Sequence, residues 1–503
     1  MKTLLSTLPS HTSEVSHRGL SAKQKDILGT AFLYLAAFLF CILLSVPACS
    51  RSLNLDESYT VVLVRKNLPD MIRSIAKDVH PPFYYLFLWI YRVVFGESII
   101  AYRWITLSAA FLNLLFLGAT LIRKTWGKTT AFFYILLFGS SYCTLEKSLT
   151  IRMYPLGCFL VTAVFIFLFR LYHHWSKRDY TAAILFTIAA MYTHYFAVMA
   201  VFAAWVFFFL FICFQKREKL LSTVCAGILI GLGFLPWMSV VISQTRKVSN
   251  HYWITGFDWY KWFISPSALM ENNLTGIGTL LQFFLLSLFF IALLKKETDV
   301  LTAGIAFAAT MCIGAILSIT ITPIWDERFL YNAWGELSLM AAIFLGKKRS
   351  TFSLLPQITA ALLLGTVAFF SYSTLYSGYL CMDSTPQWIA FLDENVQGED
   401  LFIVDDAHDH SLVYEAYLPD NQVIRTQNLK ELPKEQADSL LQPDSSRRIW
   451  YAVNYIMQAD GVDSMTAFFE GHHLRMTSCG HFTIQAKEIE LFRVEFRIET
   501  VER

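Results

Sequence analysis

The sequence predicts a polytopic α-helical membrane protein of roughly eleven transmembrane helices with a soluble α/β domain at its carboxy-terminal end. Three observations carry this. Hydrophobic residues make up 55% of the 503 and charged residues only 16%, against about 25% charged in an ordinary soluble chain. Apolar runs of spanning length, about 20 residues with slack for tilt, recur along the first three quarters of the chain. From residue 378 onward charges return throughout, between short strand-like runs. The net charge of +2 comes from basic residues that follow the topology instead of forming a patch, which argues against nucleic-acid binding. The nine cysteines include no CxxC pair and lie mostly in apolar stretches, so neither a disulfide framework nor a zinc site is legible.

Residues 1–26 are polar with scattered basic groups and read as a cytoplasmic amino-terminal segment. The apolar run after them is too long for a signal-peptide core and is expected to stay as the first span. Spans are expected near 27–49, 99–122, 129–145, 154–172, 180–194, 196–214, 220–242, 276–294, 300–321, 329–346 and 354–377, the transmembrane domain thus running over 27–377. The fifth and sixth abut at "MYTHYFAV" without a polar loop. Alternate connections carry Arg123, Lys124 and Lys128; Lys177 and Arg178; Lys216, Arg217 and Lys219; Lys295 and Lys296; and Lys347, Lys348 and Arg349. By the positive-inside bias these face the cytoplasm together with Lys23 and Lys25. The external side then receives the loop 50–98, the turns near 145–153, 194 and 322–328, the loop 243–275, and the domain 378–503. In that domain "DLFIVDD", "RRIWYAVNY" and "IELFRVEFRI" read as strands, and "TPQWIAFLDENV" as a helix capped by Thr385 with Pro386 in its first turn.

The unusual polar residues converge on the external side: Asp56, Glu57, Asp78, His80, Arg103, Arg152, Tyr154, His194, Gln244, His251 and Arg328. The pair Asp56-Glu57, just after the first span, either ends a helix in water or holds a reacting group. Pro81 and Pro82 fix a turn after His80, and 83–95 is an aromatic amphipathic stretch suited to the interface plane; such built-in order favours positioning. Guanidinium groups grip phosphate in a two-pronged geometry, and near helix ends they also snorkel to headgroups. An arginine at mid-span costs at least about 2.5 to 3.5 kcal/mol, so Arg103 is better tolerated facing a polar cavity. His80, His194 and Tyr195 serve either the site or local packing. For Glu336, inside the tenth span, a helix-packing hydrogen bond is the default.

These motifs, in this order and on one side, resemble the GT-C-type glycosyltransferases of the protein O-mannosyltransferase and aminoarabinose transferase superfamily. The resemblance rests on Asp56-Glu57, then Asp78-Val79-His80-Pro81-Pro82 and an aromatic run closing with Phe95-Gly96-Glu97-Ser98. It continues with Arg103, "RMYPL" at 152–156, "YTHYF" at 192–196, "LPW" at 235–237 with Gln244 beyond, and "PIWDERF" at 323–329. It departs where many relatives carry Glu two residues before the Arg of Arg-Met-Tyr: here that position is Thr150, and the nearest acid is Glu146. What it implies is a GT-C-like fold and inverting transfer of a sugar from a polyprenyl-phosphate donor to an acceptor hydroxyl on a protein, lipid A or an envelope glycan. Asp56 would act as base, with Glu57 orienting the base or the acceptor. Arg103, Arg152, Tyr154, His194, Tyr195 and Arg328 would hold the donor phosphate and lipid, and Asp78, His80 and Gln244 the loop or acceptor side. No metal ligand is assigned and no cofactor is obligatory; some relatives bind a divalent metal, which a carboxylate and histidine set accommodates. The implied location is the bacterial inner membrane, with active site and carboxy-terminal domain on the periplasmic side. The alternative is a transporter or flippase for a lipid-linked or amphipathic solute; such folds tend to show repeated halves and broken helices at the midplane, whereas the polar residues here gather at one end.

Overall fold

The computed structural model describes residues 21–48, 51–250, 254, 256–271, 276–347, 354–376, 384–405, 411–442, 447–454, 461–484 and 487–496. Residues 1–20, the expected boundary at 377/378 and His251 lie outside this set. Among the described residues, nine helices are long and apolar enough to cross a bilayer, and the protein is an integral membrane protein.

The first helix, α1 (Ala22–Ser45), starts before residue 27 because Ser21 and Gln24 form a reciprocal capping box. The external loop after it folds into three helices, α2 (Leu55–Arg65), α3 (Leu68–Lys77) and α4 (Phe83–Phe95). Asn54 caps α2 and Asn67 caps α3, each accepting a hydrogen bond from the residue three ahead. In α4, Tyr84, Tyr85 and Leu88 turn inward while Phe87, Ile90, Val94 and Phe95 face outward, as the interfacial reading requires.

The second span is α5 (Ile99–Phe111), continued by a π-helical stretch (Leu112–Ile122) and α6 (Arg123–Trp126). The expected third and fifth spans are helical but shorter: α7 (Lys128–Ser140) has 13 residues and α10 (Lys177–Met191) has 15, below the length a simple span needs. These two are the difference between the eleven expected segments and the nine described helices of full spanning length. Ser141 ends α7 by capping α8 (Tyr142–Leu149). Between α8 and α10 runs α9 (Tyr154–His173), and after α10 His194 caps α11 (Tyr195–Gln215). The series closes with α12 (Leu220–Asn250), α13 (Trp259–Met270), α14 (Ile277–Leu294), α15 (Thr298–Thr320), a 3₁₀ turn (Glu327–Ala333) leading into α16 (Trp334–Gly346), and α17 (Leu354–Tyr376).

The bundle centre is α9 and α16, whose apolar windows are 83% and 94% buried. Inside lipid the hydrophobic effect gives helices little reason to associate, so close approach through small residues decides the centre. A Cβ on Gly157 would meet Asn332 Oδ1 at 2.0 Å, and one on Gly335 would meet Thr162 Oγ1 at 1.8 Å.

The carboxy-terminal domain opens with α18 (Thr385–Asn395); Thr385 is its first residue, and the capping position belongs to Ser384. It builds a five-stranded sheet ordered β2-β1-β3-β5-β4, from β1 (Leu401–Val404), β2 (Gln422–Arg425), β3 (Ile449–Asn454), β4 (Leu474–Ile484) and β5 (Lys487–Phe496). The strands β2, β1 and β3 are parallel and β3, β5 and β4 antiparallel. The three runs expected as strands are β1, β3 and β5. A short helix, α19 (Ser411–Tyr417), follows β1.

Candidate active site

The two adjacent carboxylates of α2 have separate fates. Glu57 is fully buried. Its Oε2 accepts from Asn54 N at 3.1 Å; its Oε1 accepts from Ile151 N at 2.9 Å and from Arg103 Nη2 at 3.2 Å. Arg103 spends its other terminal nitrogen on the carbonyls of Ala48 and Arg51, at 2.9 and 2.8 Å. This ion pair ties α2, α5, the end of the first span and the entry to α9 together. Neither residue lines the cavity around Asp56: Glu57 reaches Asp56 only through the frame of α2, and Arg103 is paired with Glu57 in place of the donor contact expected for it. The reason is local: a buried Arg in a span needs a carboxylate, and Glu57 is the one within reach.

Asp56 faces a different way. Its side chain is 42% exposed and pairs with Arg328 through Oδ2 and Nη1 at 3.3 Å. It lines a polar cavity of about 410 Å³ together with Tyr59, Asp78, His80, Arg152, Tyr154, Lys247 and Arg328. Arg328 also pairs with Asp326, whose carboxylate caps the 3₁₀ turn by accepting from Arg328 N at 3.0 Å.

Arg152, just before α9, is the buried hub of this cavity. Its Nη1 donates to Tyr85 Oη at 3.2 Å and to the Asp56 carbonyl at 3.4 Å, and its Nη2 donates to His80 Nε2 at 2.7 Å. A guanidinium only donates, so His80 Nε2 accepts and the ring is neutral. Burial first, then Arg152, His194 and Arg328, push the His80 pKa well below the ordinary imidazole value. Burial also raises the Asp78 carboxyl above the usual carboxylate range, against the pull of Arg152.

His194 stands at the junction between the polar cavity and an apolar one. Its Nδ1 accepts from Phe196 N at 3.1 Å; burial, Arg152 and Arg328 lower its pKa to about 3. The proton of this neutral ring therefore sits on Nε2, a buried atom with no hydrogen-bond partner among the described residues, as is Arg152 Nε. The ring packs among His80, Tyr154 and Phe329 with centroids 5.2 to 5.5 Å apart. The apolar cavity, about 350 Å³, is lined by residues of α11, α12 and α15 including Val198, Met199, Val241 and Leu317, and shares Val79, His80, Val248 and Phe329 with the polar one. Tyr195 and Gln244 lie in its wall, Tyr195 Oη donating to Gln244 Oε1. Gln244 Nε2 in turn donates to the Ile75 carbonyl at 2.9 Å, anchoring the end of α3 to α12.

Several cavity residues escaped the sequence reading. Tyr59 lies one helical turn after Asp56, and Lys247 one turn after Gln244; the 3.6-residue period was the signal for both. Lys247 Nζ donates to the Lys77 carbonyl at 2.7 Å. Lys147, paired with Glu146 at 2.6 Å and 5.6 Å from the Tyr154 ring centroid, supplies another cation near the site. Among the described residues, no three of His, Cys, Asp or Glu gather closely enough to hold a metal ion.

No protein-family model matches the chain, and no curated protein matches it in sequence. Solved structures match its fold. ArnT from Cupriavidus metallidurans in the apo state superposes with a TM-score of 0.59 at 12% identity, over 93% of this chain and 98% of that one. ArnT from the same organism bound to undecaprenyl phosphate gives a TM-score of 0.56 at 12% identity, over 94% and 98%. The fold is thus the GT-C-like architecture that the sequence resemblance implied.

Proposed function

We propose that this protein is an integral-membrane inverting glycosyltransferase that moves a sugar from a polyprenyl-phosphate donor to an acceptor hydroxyl on the extracytoplasmic face. One observation carries the reading: a part-exposed carboxylate, Asp56, shares a cavity with Arg152 and Arg328, and an apolar cavity lined by His194 and by membrane helices adjoins it through Val79, His80, Val248 and Phe329. An amphipathic donor with an isoprenoid tail and a phosphate head fits this sequence of environments. That a protein of the same fold binds undecaprenyl phosphate supports the assignment.

In this reading the tail lies along Met199, Val241 and Leu317, and the phosphate rests by Arg152 and Arg328 in the polar cavity, next to the shared wall of His80 and Phe329 against which His194 packs. Asp56 accepts the proton of the acceptor hydroxyl as its oxygen bonds to the anomeric carbon. The bond from that carbon to the phosphate oxygen breaks and its electron pair leaves with the phosphate. Arginine charge, already in place, stabilises the second phosphate charge as it develops. A leaving group this good makes a protonating acid less necessary than in glycoside hydrolysis. Attack from the face opposite the phosphate inverts the anomeric centre. Incubating the purified protein with labelled polyprenyl-phosphate sugars and acceptor membranes tests this: free polyprenyl phosphate must be released, and Asp56→Asn must stop it in a folded protein.

A further inference from the structure

The carboxy-terminal domain is fastened to the helix that carries Asp56. Arg65, in the last turn of α2, uses its whole guanidinium: Nε donates to both Glu97 oxygens at 2.9 and 3.0 Å, Nη1 to the Glu415 carbonyl at 2.5 Å, and Nη2 to the Ala416 carbonyl at 2.6 Å. The last two are carbonyls near the end of α19, which a cation also favours through the helix dipole. At the other end of α2, Leu53 N donates to Tyr417 Oη at 3.0 Å. Ala416 is buried in the same apolar cluster as Val61, Val64 and Tyr84 of the loop helices. The fastening therefore holds α2 at both ends and has an apolar contact between.

Behind α19 the sheet is tied in as well, since Arg425 at the end of β2 donates Nε to Ser411 Oγ at 3.1 Å. The consequence lies at the next residue: Leu412 lines the same cavity as Asp56, Arg152 and Arg328. The polar cavity is thus lined by residues of the external loop and of membrane-helix ends, and by one residue of the carboxy-terminal domain. Within the transferase reading, on which this rests, the donor occupies the membrane side.

We propose that the carboxy-terminal domain is a built-in wall of the active cavity, seated on α2 by Arg65, and that Leu412 determines which acceptor alcohols reach Asp56. Arg65 is then a positioning residue and Leu412 a specificity-determining one.

The test uses the full-length protein in nanodiscs, with membranes from cells lacking the gene as the acceptor source. Leu412→Trp is expected to raise the acceptor KM at least tenfold, while binding of undecaprenyl phosphate, followed by native mass spectrometry, changes less than twofold. Arg65→Ala is expected to raise amide exchange across α2 and α19 at least tenfold, and Leu412→Trp to leave that exchange unaltered. An active wild-type protein whose acceptor KM is unmoved by Leu412→Trp, or whose α2 exchange is unmoved by Arg65→Ala, overturns the inference and leaves the transferase reading standing. A wild-type protein that releases no carrier phosphate refutes the transferase reading and the acceptor role with it.

Discussion

Replacing each of the two neighbouring carboxylates by its amide separates scaffold from chemistry. In Glu57→Gln the shape is kept, but both oxygens of the native carboxylate face donors: Asn54 N on one side, Ile151 N and Arg103 Nη2 on the other. Either orientation of the new amide sets its NH₂ against an N–H, and Arg103, buried beside it, loses its counter-charge. Breaking one partner of a buried pair costs about 3 to 5 kcal/mol, so the thermal midpoint in detergent should fall sharply. Asp56→Asn touches a pair whose members are 42% and 32% exposed; such pairs contribute about 1 kcal/mol or less, and the midpoint should barely move. Its turnover should instead fall roughly a hundredfold to ten-thousandfold, the usual range for a lost general base. The assay is a melt of each variant alongside release of labelled polyprenyl phosphate. A Glu57→Gln protein as stable as wild type but inactive, or an Asp56→Asn protein that still transfers sugar, would refute the division of roles.

Other outcomes follow from the same geometry. His194 is held neutral down to a pKa of about 3, against about 6.5 in an unfolded chain. Above pH 6.5 neither state is protonated and its contribution is complete; below, only the unfolded chain gains the proton, so stability is lost as pH falls, by about 2 kcal/mol at pH 5. Melts from pH 7.5 to 5 should show this slope, reduced in His194→Gln; a midpoint that rises on acidification would contradict the assignment. Met199→Trp fills the apolar cavity and should weaken undecaprenyl phosphate binding at least tenfold by native mass spectrometry; unchanged affinity removes that cavity from the donor path. Gly157→Ala forces a Cβ toward Asn332 Oδ1 and should cost about 1 to 3 kcal/mol by overpacking, read as a lower melting midpoint.

Much of this was legible in the sequence, for reasons that differ by residue. Apolar length and lysine-arginine asymmetry are local and additive, so the bundle and a common face for Asp56, Arg152, His194 and Arg328 could be read directly. Composition does not register a break such as Ser141, where one serine caps a new helix inside an apolar run and splits the expected third span. Nor does it reveal partners. Arg103 looked like a phosphate ligand because a charge in a span demands a polar partner, but which carboxylate satisfies it depends on how α2 folds back over α5. The contact of Leu412 with the cavity links positions far apart in the chain and leaves no periodic trace in the sequence.

The pair Asp56-Glu57 shows why neighbouring charges at a helix start serve two functions. Consecutive side chains on a helix diverge by about 100°, so if one points into the bundle the next points along its rim. Glu57 takes the inward direction, and its interactions there, with the capping box of α2 and the ion pair to Arg103, fix the rotation of α2 about its own axis. That rotation sets where Asp56 points. Arg65 then limits tilting from the far end of the same short helix. Among the described residues the Asp56 carboxylate makes one side-chain hydrogen bond, at 3.3 Å to Arg328, and its neighbour carries the burden of orientation.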